Sequence, residues 1–193
     1  AVQGIVGQDR ALTALEVGLG IRSRGYNIFV TGLTGSGRTT TVKPHARYRV
    51  AARVLSTERY RSGWESDLSP IDFALGWGEL SDPKVDEWVD WSQSTRWYFY
   101  KWDSGSPWQN EYIVPHSANT HIIPSTDNLR RAVLRAVDED DLVLLEGHLV
   151  FVDSADAGEP YCWRSSLSRQ DTGQHSCEVL YLERLVVDGM EYR

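Results

Sequence analysis

The sequence predicts a mainly β protein, a small barrel or rolled antiparallel sheet with one helix, plus an N-terminal α/β segment. Two observations support this fold class. Beyond residue 44, several stretches concentrate alternating β-branched and aromatic residues, as strands do, and one stretch has helical spacing. The charge also changes sign there, since residues 1–43 carry five Lys and Arg against two Asp and Glu, whereas the whole chain of 193 residues carries −7. We therefore divide the chain into residues 1–43, an appendage, and residues 44–193, an acidic β-rich domain.

The composition is that of a globular protein, with 41% hydrophobic and 24% charged residues. No apolar run approaches the ~18 residues typical of a membrane helix, so we expect no transmembrane span in this chain. The larger part is acidic and repels a phosphate backbone. This balance argues against general nucleic-acid binding.

The first part is predicted to contain a helix, a strand and a glycine-rich loop. Residues 8–21 place Leu12, Leu15 and Leu19 on one helical face, and a strand over residues 26–30 leads into the loop at residues 32–39. Residues 39–42 are predicted to open a second helix. Pro44 would stop that helix after about one turn, because proline lacks the backbone donor that a continuing helix needs.

Residues 5–11, 25–32 and 37–40 resemble, in this order, the start of the ATPase domain of Lon-like AAA+ proteases. In that family the loop amides hold the nucleotide phosphates, a basic residue neutralises their charge, and the next hydroxyl reaches magnesium. The resemblance implies ATP and magnesium as cofactors, although Arg38 stands where a lysine is usual. It assigns the binding roles to Gly32, Gly35, Ser36, Gly37, Arg38 and Thr39.

Such an ATPase also needs a second strand that ends in acidic residues. The nearest candidate is the apolar run at residues 142–147, in which Glu146 stands alone before Gly147. We interpret this run as a buried strand. If the protein is an enzyme, ATPase is the activity indicated, but the absence of these partners favours a protein without enzymatic activity.

The second part is predicted to contain five strands and one helix. The helix is indicated by apolar residues at helical spacing between residues 129 and 137, after the capping sequence at residues 125–127. Residues 69–91 are predicted to form an irregular connection around a short helical turn. The predicted strands cover residues 47–54, 97–102, 142–152, 161–167 and 178–187.

The second part also resembles a family of uncharacterised bacterial proteins, over residues 46–187. Members usually look like envelope proteins behind an N-terminal anchor, and this chain carries the Lon-like segment in the anchor's place. The resemblance implies a periplasmic or envelope-associated location; without it, the chain would be cytoplasmic. The phrases that carry it are residues 68–78, 92–94, 116–124, 163–169, 171–173 and 177–178.

Few residues of this part are candidates for chemistry. His116 and His121 are weak candidates for metal ligands, and a third ligand would have to come from Asp72 or Glu111. The alternative, which we favour, is that they are hydrogen-bonded loop residues.

The two cysteines allow two further hypotheses. Cys177 could act as a thiol nucleophile with His116, His121 or His175 as its base, but we favour a small buried hydrophobe. Cys162 and Cys177 lie on neighbouring predicted strands, so they could form a disulfide in an oxidising compartment and would stay reduced in the cytoplasm.

Seven of the eight tryptophans lie between Trp64 and Trp108. Such a concentration indicates either a binding surface, with Trp64, Trp77 and Trp108 as contacts, or a tryptophan-rich core. We expect an accessory, structural or binding protein of a bacterial envelope or multi-protein assembly, with a protein partner, or with a glycan as the alternative ligand. The competing hypothesis is a nucleotide-binding fragment related to Lon-like ATP-dependent proteases.

Overall fold

The structure is a computed structural model and describes residues 29–31, 40–154, 161–171, 173 and 176–193. Three α-helices occur in these ranges: α1 (Trp64–Leu68), α2 (Asn110–His116) and α3 (Asp127–Arg135). Two 3-10 turns follow one another at Gly78–Ser81 and Pro83–Glu87. The strands are β1 (Phe29–Thr31), β2 (Thr40–Arg59), β3 (Ile71–Gly76), β4 (Val89–Ser94), β5 (Trp97–Trp102), β6 (Ser117–Pro124), β7 (Leu142–Ser154), β8 (Tyr161–Arg164), β9 (Glu178–Val187) and β10 (Met190–Tyr192).

Five strands pair in a closed ring in the order β2, β3, β6, β9 and β7, and β7 pairs back with β2. The pairing of β6 with β9 is parallel, and the other four pairings of the ring are antiparallel. β1, β8 and β10 add to β2, β7 and β9 respectively. The prediction of a mainly β fold is confirmed.

The main core fills the inside of the ring. Alternate residues of each ring strand point inward, because side chains of a strand alternate between its two faces. α3 closes one side of this core with Leu129, Ala132 and Val133. The inward residues include Val50, Val54, Phe73, Ile122, Leu145, Leu180 and Leu185.

Two smaller clusters lie outside the ring. One contains Val150, Val152 and Val179, and Trp163 of β8 packs against it. The other lies under the hairpin of β4 and β5 and contains Leu80 and Val85 of the 3-10 turns. The outer face of the ring is therefore covered where these elements pack, and that cover positions the candidate site.

Several predicted elements are confirmed. β5 and β9 have the predicted bounds, and the predicted strands at 47–54, 142–152 and 161–167 overlap β2, β7 and β8. The predicted helix is α3. The Thr126 side chain caps it by accepting a hydrogen bond from the Leu129 amide at 3.1 Å, as the capping sequence implied.

The helix predicted to open at residues 39–42 is wrong, because Thr40–Arg59 is one long strand that pairs antiparallel with β1. β2 runs through residue 44, the predicted domain boundary. Pro44 is accommodated at a bulge, where the register with β7 shifts between Pro44 and Ala46. A proline is tolerated in a strand at such a place, since no ladder hydrogen bond has to be donated there.

The prediction of an irregular connection over residues 69–91 is also wrong in part. β3 occupies Ile71–Gly76 and is buried at all six residues, so it has no solvent-exposed face whose alternation with buried residues could reveal it. Two further helices, α1 and α2, accompany the one that was predicted. The 3-10 turns agree with the expected short helical turn.

Candidate functional site

A cleft of about 150 Å³ lies between the hairpin of β4 and β5, the start of β6 and four described residues near β9, Asp171, Gly173, Ser176 and Cys177. The hairpin contributes aromatic rings to one wall. Asn119 lies on β6, and Asp171 and Cys177 lie on the opposite side. We call this feature the cleft; its aromatic residues are Trp97, Tyr98 and Tyr100.

The hairpin turns through two residues with left-handed backbone, Thr95 (φ 52°) and Arg96 (φ 71°). Two-residue hairpin turns with positive φ match the twist of the flanking strands, but a β-branched residue is strained there. The turn therefore stores strain at the tip of the hairpin, and something must hold it in place.

Arg96 holds the tip against the outer face of the ring. Its guanidinium lies 2.7 Å from a carboxylate oxygen of Asp72, which is fully buried, and donates a 2.8 Å hydrogen bond to the Ser69 carbonyl. The Tyr60 ring stacks on the guanidinium at 3.5 Å, and the Tyr60 hydroxyl accepts a hydrogen bond from the Arg96 amide. Burial, and secondly the charge of Asp72, raise the pKa of Tyr60 well above its usual range, so it stays a neutral phenol.

His121 contacts the second carboxylate oxygen of Asp72. Its Nδ1 is 2.8 Å from Oδ2 of Asp72, at ion-pair distance but without hydrogen-bond alignment. The imidazole is 2% exposed and lies 4.4 Å from the Trp163 ring. Asp72 thus joins two strands of the ring to the hairpin tip, since β3, β6 and Arg96 meet on it. We call Asp72, Arg96 and His121 the outer anchor.

Asn119 connects the outer anchor to the floor of the cleft. Its amide group donates to the Arg96 carbonyl at 2.9 Å, and its carbonyl oxygen accepts from Gln93 at 2.7 Å. Cys177 lies beside it, with the sulfur 3.8 Å from the same amide nitrogen. Burial raises the pKa of the Cys177 thiol to about 12, so the nucleophilic thiolate is scarce at neutral pH.

A second polar group lies inside the ring, on the opposite side of β6 and β9. Glu178 and Thr120 are register neighbours on these strands, and Tyr48 of β2 lies close to both. Arg169 reaches over them, with a guanidinium nitrogen 3.4 Å from Glu178 and its guanidinium carbon 4.3 Å from the centre of the Trp77 ring. We call these five residues the inner cluster. Burial raises the pKa of Glu178 to about 8, despite the opposing charge of Arg169.

The structure separates the two histidines that were weak metal candidates. His116 ends α2, stacks on Tyr112 and contacts the Tyr112 carbonyl through Nδ1 at 2.8 Å, whereas His121 belongs to the outer anchor. Over the described ranges, no three His, Cys, Asp or Glu side chains are grouped so that they could hold a metal ion. Cys162 and Cys177 are both free cysteines, so the structure shows no disulfide between them.

The tryptophans singled out by the sequence are not the most exposed ones. Trp77 packs against the main core, and Trp108 packs against the cluster under the hairpin and donates to Glu79 at 2.9 Å. Trp97 and Trp88 are instead 38% exposed. The glycine-rich loop at residues 32–39 lies outside the described residues, so the assignments to Gly32, Gly35, Ser36, Gly37, Arg38 and Thr39 stay predictions.

Sequence reasoning missed Asp72 and Arg96 as partners and Glu178 as a buried acid. A signal was present, because Asp72 sits within an otherwise apolar run, residues 71–75, and a polar residue in a buried strand must find a partner. The phrases at residues 68–78, 92–94, 116–124, 163–169 and 177–178 meet in this region. Sequence alone gave no means of bringing them together.

No family model matches this chain, and comparison with curated proteins and with solved structures found no match. None of the helices in the described ranges has the length and apolar character needed to cross a membrane.

Proposed function

We propose that this protein is a non-enzymatic binding module that recognises a protein partner through the aromatic hairpin and the cleft beside it. The observation that carries the proposal is a rigidly held hairpin with exposed aromatic side chains. Phe99 is 51% exposed and Trp97 is 38% exposed, and both lie on the same face of β5. Trp and Phe are enriched at protein interfaces, where they contribute much of the binding energy.

The opposite face of the hairpin explains its rigidity. Tyr100, Trp102 and Trp91 pack on the cluster formed by the 3-10 turns and α2, and the outer anchor holds the tip. Aromatic side chains held in place before binding lose little conformational entropy when a partner arrives. The arrangement therefore favours a contact surface over a flexible loop.

The size of the cleft indicates which kind of chemical group it can bind. Pockets for whole small-molecule ligands usually measure ~300–1,000 Å³, and the cleft holds about 150 Å³. It fits one projecting group of a larger partner, such as a single side chain, with Tyr98 and Trp97 against its apolar part. Asp171 is exposed at the rim and favours a group that carries hydrogen-bond donors.

The chemistry of the lining groups supports binding over catalysis. The Cys177 thiol is protonated at neutral pH, His121 is buried on Asp72, and both polar ends of the Asn119 amide are used within the protein. The resemblance of residues 46–187 to envelope proteins supports a role in a bacterial envelope or a multi-protein assembly.

The test begins with a photo-crosslinking amino acid at Phe99, used in the native host to identify the contacted protein. The affinity of that purified partner is then measured for the wild type, for Trp97→Ala with Phe99→Ala, and for the control Leu142→Ala. Leu142 is 65% exposed and lies outside the hairpin and the cleft. We expect the double variant to weaken binding at least tenfold, about 1.4 kcal/mol, and the control to leave it unchanged.

Equal affinity for the double variant and the wild type would overturn the proposal. A glycan array probed with the same three proteins distinguishes the alternative ligand. Binding to glycans that depends on Trp97 and Phe99, with no crosslinked protein, would identify the hairpin as a sugar-binding surface instead.

A further inference from the structure

The cleft beside the hairpin has a single charged side chain in its lining. Among the described residues that line it, Asp171 is the only acid, and no Lys, Arg or His is present. The other polar groups are hydroxyls, one indole, one amide and one thiol. Their hydrogen bonds therefore decide which ligand the cleft can bind.

The hydroxyl hydrogens of the hairpin and of β6 are used within the protein. Ser117 donates to the Ile113 carbonyl at 2.7 Å, so the Tyr98 hydroxyl, 2.9 Å from Oγ of Ser117, is the donor of that second pair. The Tyr100 hydroxyl donates to the Asn110 side chain at 2.9 Å. Because a hydroxyl has one hydrogen, these three groups can only accept from a ligand.

The polar groups on the floor and on the opposite side are used in the same way. The Asn119 amide nitrogen donates to the Arg96 carbonyl at 2.9 Å and lies 3.8 Å from the Cys177 sulfur. The Cys177 thiol faces the Arg96 carbonyl at 4.0 Å, and the Ser176 hydroxyl donates to the Gly173 carbonyl at 2.7 Å. The cleft thus keeps lone pairs for a ligand but few hydrogens.

Asp171 adds a negative charge to this set of acceptors. Its Oδ2 lies 2.7 Å from the Ser166 hydroxyl. Among the described residues, no Lys, Arg or His side chain forms an ion pair with this acid, which is exposed at the rim. A ligand that carries hydrogen-bond donors and a positive charge matches both properties, whereas an anion would match neither.

The aromatic wall suits a cation on an apolar stem. The Tyr98 and Tyr100 rings lie 5.7 Å apart and are tilted by 40°, and Trp97 is 38% exposed beside them. Burial raises the pKa of Tyr98 well above its usual range, so this side chain stays a neutral phenol. Aromatic faces attract cations and also pack against methylene groups.

We propose that the cleft binds a lysine side chain of the protein partner, with its methylene groups along Trp97 and Tyr98 and its ammonium group at Asp171. This inference rests on the proposed function, because the partner that contacts the hairpin brings the lysine. A lysine side chain is slender and ends in three donors, which suits a cleft of about 150 Å³ that is rich in acceptors. The net charge of −7 also favours a basic partner surface.

The first experiment uses a peptide probe in place of the partner. The full chain is titrated with acetyl-Gly-Lys-Gly-amide and with the same peptide containing norleucine, which keeps the apolar stem and lacks the ammonium group. Binding is followed by the nuclear magnetic resonance signal of the Trp97 indole N–H, assigned with Trp97→Phe. We expect a dissociation constant on the order of 1 mM for the lysine peptide and roughly fivefold weaker binding of the norleucine peptide.

The second experiment changes the acid. Asp171→Asn keeps an oxygen for the Ser166 hydroxyl and removes the charge, and we expect it to weaken binding of the lysine peptide about three- to fivefold. Asp188→Asn is the matched control. It removes the same charge from an exposed turn outside the cleft, and asparagine tolerates the φ of 50° found there, so binding should equal that of the wild type.

Equal binding of the two peptides, or equal binding of the lysine peptide by Asp171→Asn and the wild type, would overturn the inference. The crosslinked partner separates this failure from failure of the proposed function. A partner that loses affinity for Trp97→Ala with Phe99→Ala, but not for Asp171→Asn, would overturn the lysine site and leave the hairpin as the contact surface. Binding of the lysine peptide that depends on Asp171 would support the site even if the double variant leaves the affinity of the partner unchanged.

Discussion

Arg53, Arg96 and Arg169 perform the same task at three places on the ring. Each lies against an acidic side chain: Arg53 against Asp86, Arg96 against Asp72 and Arg169 against Glu178. Arginine suits this role because its planar guanidinium donates several hydrogen bonds and stacks on an aromatic face at once, which lysine does not. The three sites differ in which partner is buried. The acid is the buried member at Asp72 and Glu178, and the guanidinium is the buried member at Arg53.

Glu178 makes stability depend on pH. Burial raises its pKa in the folded protein to about 8 from an ordinary value of 4.5, so the folded protein holds a proton that the unfolded chain has lost between these pH values. Its stabilising contribution is complete below about pH 4.5 and is lost as the pH rises through about 8. Glu178→Gln should remove this loss, since glutamine stays neutral.

We expect the free energy of unfolding of Glu178→Gln, relative to the wild type, to increase from about pH 5 to about pH 8 by up to ~1.4 kcal/mol per pH unit. Urea unfolding at both pH values measures the difference. Glu111→Gln is the control, because Glu111 is exposed on α2 and its difference from the wild type should be independent of pH. A difference for Glu178→Gln that does not change with pH would contradict the assignment.

At the scale of elements, the hairpin of β4 and β5 depends on a turn that its own sequence disfavours. Thr95 adopts φ 52°, a left-handed conformation in which asparagine is several-fold more common than β-branched residues. Arg96 adopts φ 71° and is retained by the outer anchor. Thr95 has no such anchoring role among the described contacts, so its strain can be relieved by substitution.

We expect Thr95→Asn to stabilise the protein by about 0.5–1 kcal/mol, because asparagine tolerates the left-handed conformation at lower cost. Thermal unfolding should show a midpoint raised by ~1–4 °C. Ser94→Asn is the matched control, since Ser94 lies in the extended strand and gains nothing from asparagine. A lower midpoint for Thr95→Asn would mean that the turn is not built as described.

The elements that sequence could predict are those with a local pattern. β5 and β9 are rich in aromatic or β-branched residues, and α3 has both helical spacing and a Thr126 cap. β3 and β6 were missed because they are buried on both faces, so no alternation marks them. β2 was misassigned at its start because Pro44, read as the stop of a helix, is in fact a residue of a strand bulge.

The candidate site could not be predicted for a different reason. Asp72, Arg96 and His121 lie on three separate elements, and the ring pairing that joins them is non-local. Nothing in the sequence states which buried acid meets which arginine. Electrostatic pairing of this kind becomes visible only when the strand order is known.

At the scale of the whole molecule, the ring and the elements on its outer face have separate cores. These elements are the 3-10 turns, α2 and the hairpin of β4 and β5, and we call them the cover. The main core lies inside the ring, and the cluster of Leu80, Val85, Val89 and Ile113 lies outside it. Arg53 connects the two, because it is 1% exposed on β2 and its guanidinium donates to Asp86 at 2.8 Å and to the Leu80 carbonyl at 3.2 Å. It also binds Asp140 at 2.9 Å, in the turn before β7. Cooperative unfolding of ring and cover should therefore depend on Arg53.

We expect wild-type unfolding to follow one transition when it is recorded both by far-ultraviolet circular dichroism, which reports the ring, and by fluorescence of the tryptophans, which are concentrated in the cover. Arg53→Met should reduce the free energy of unfolding by ~1–3 kcal/mol, because the Leu80 carbonyl, Asp86 and Asp140 lose the hydrogen bonds that the guanidinium donates. In that variant the fluorescence midpoint should fall below the dichroism midpoint, since the cover unfolds first.

Arg49→Met is the control. Arg49 lies on the same strand, its side chain is 71% exposed and it pairs with Glu146, so both midpoints should coincide and stay close to the wild-type value. Coincident midpoints in Arg53→Met would instead mean that the cover is held to the ring by its apolar contacts alone.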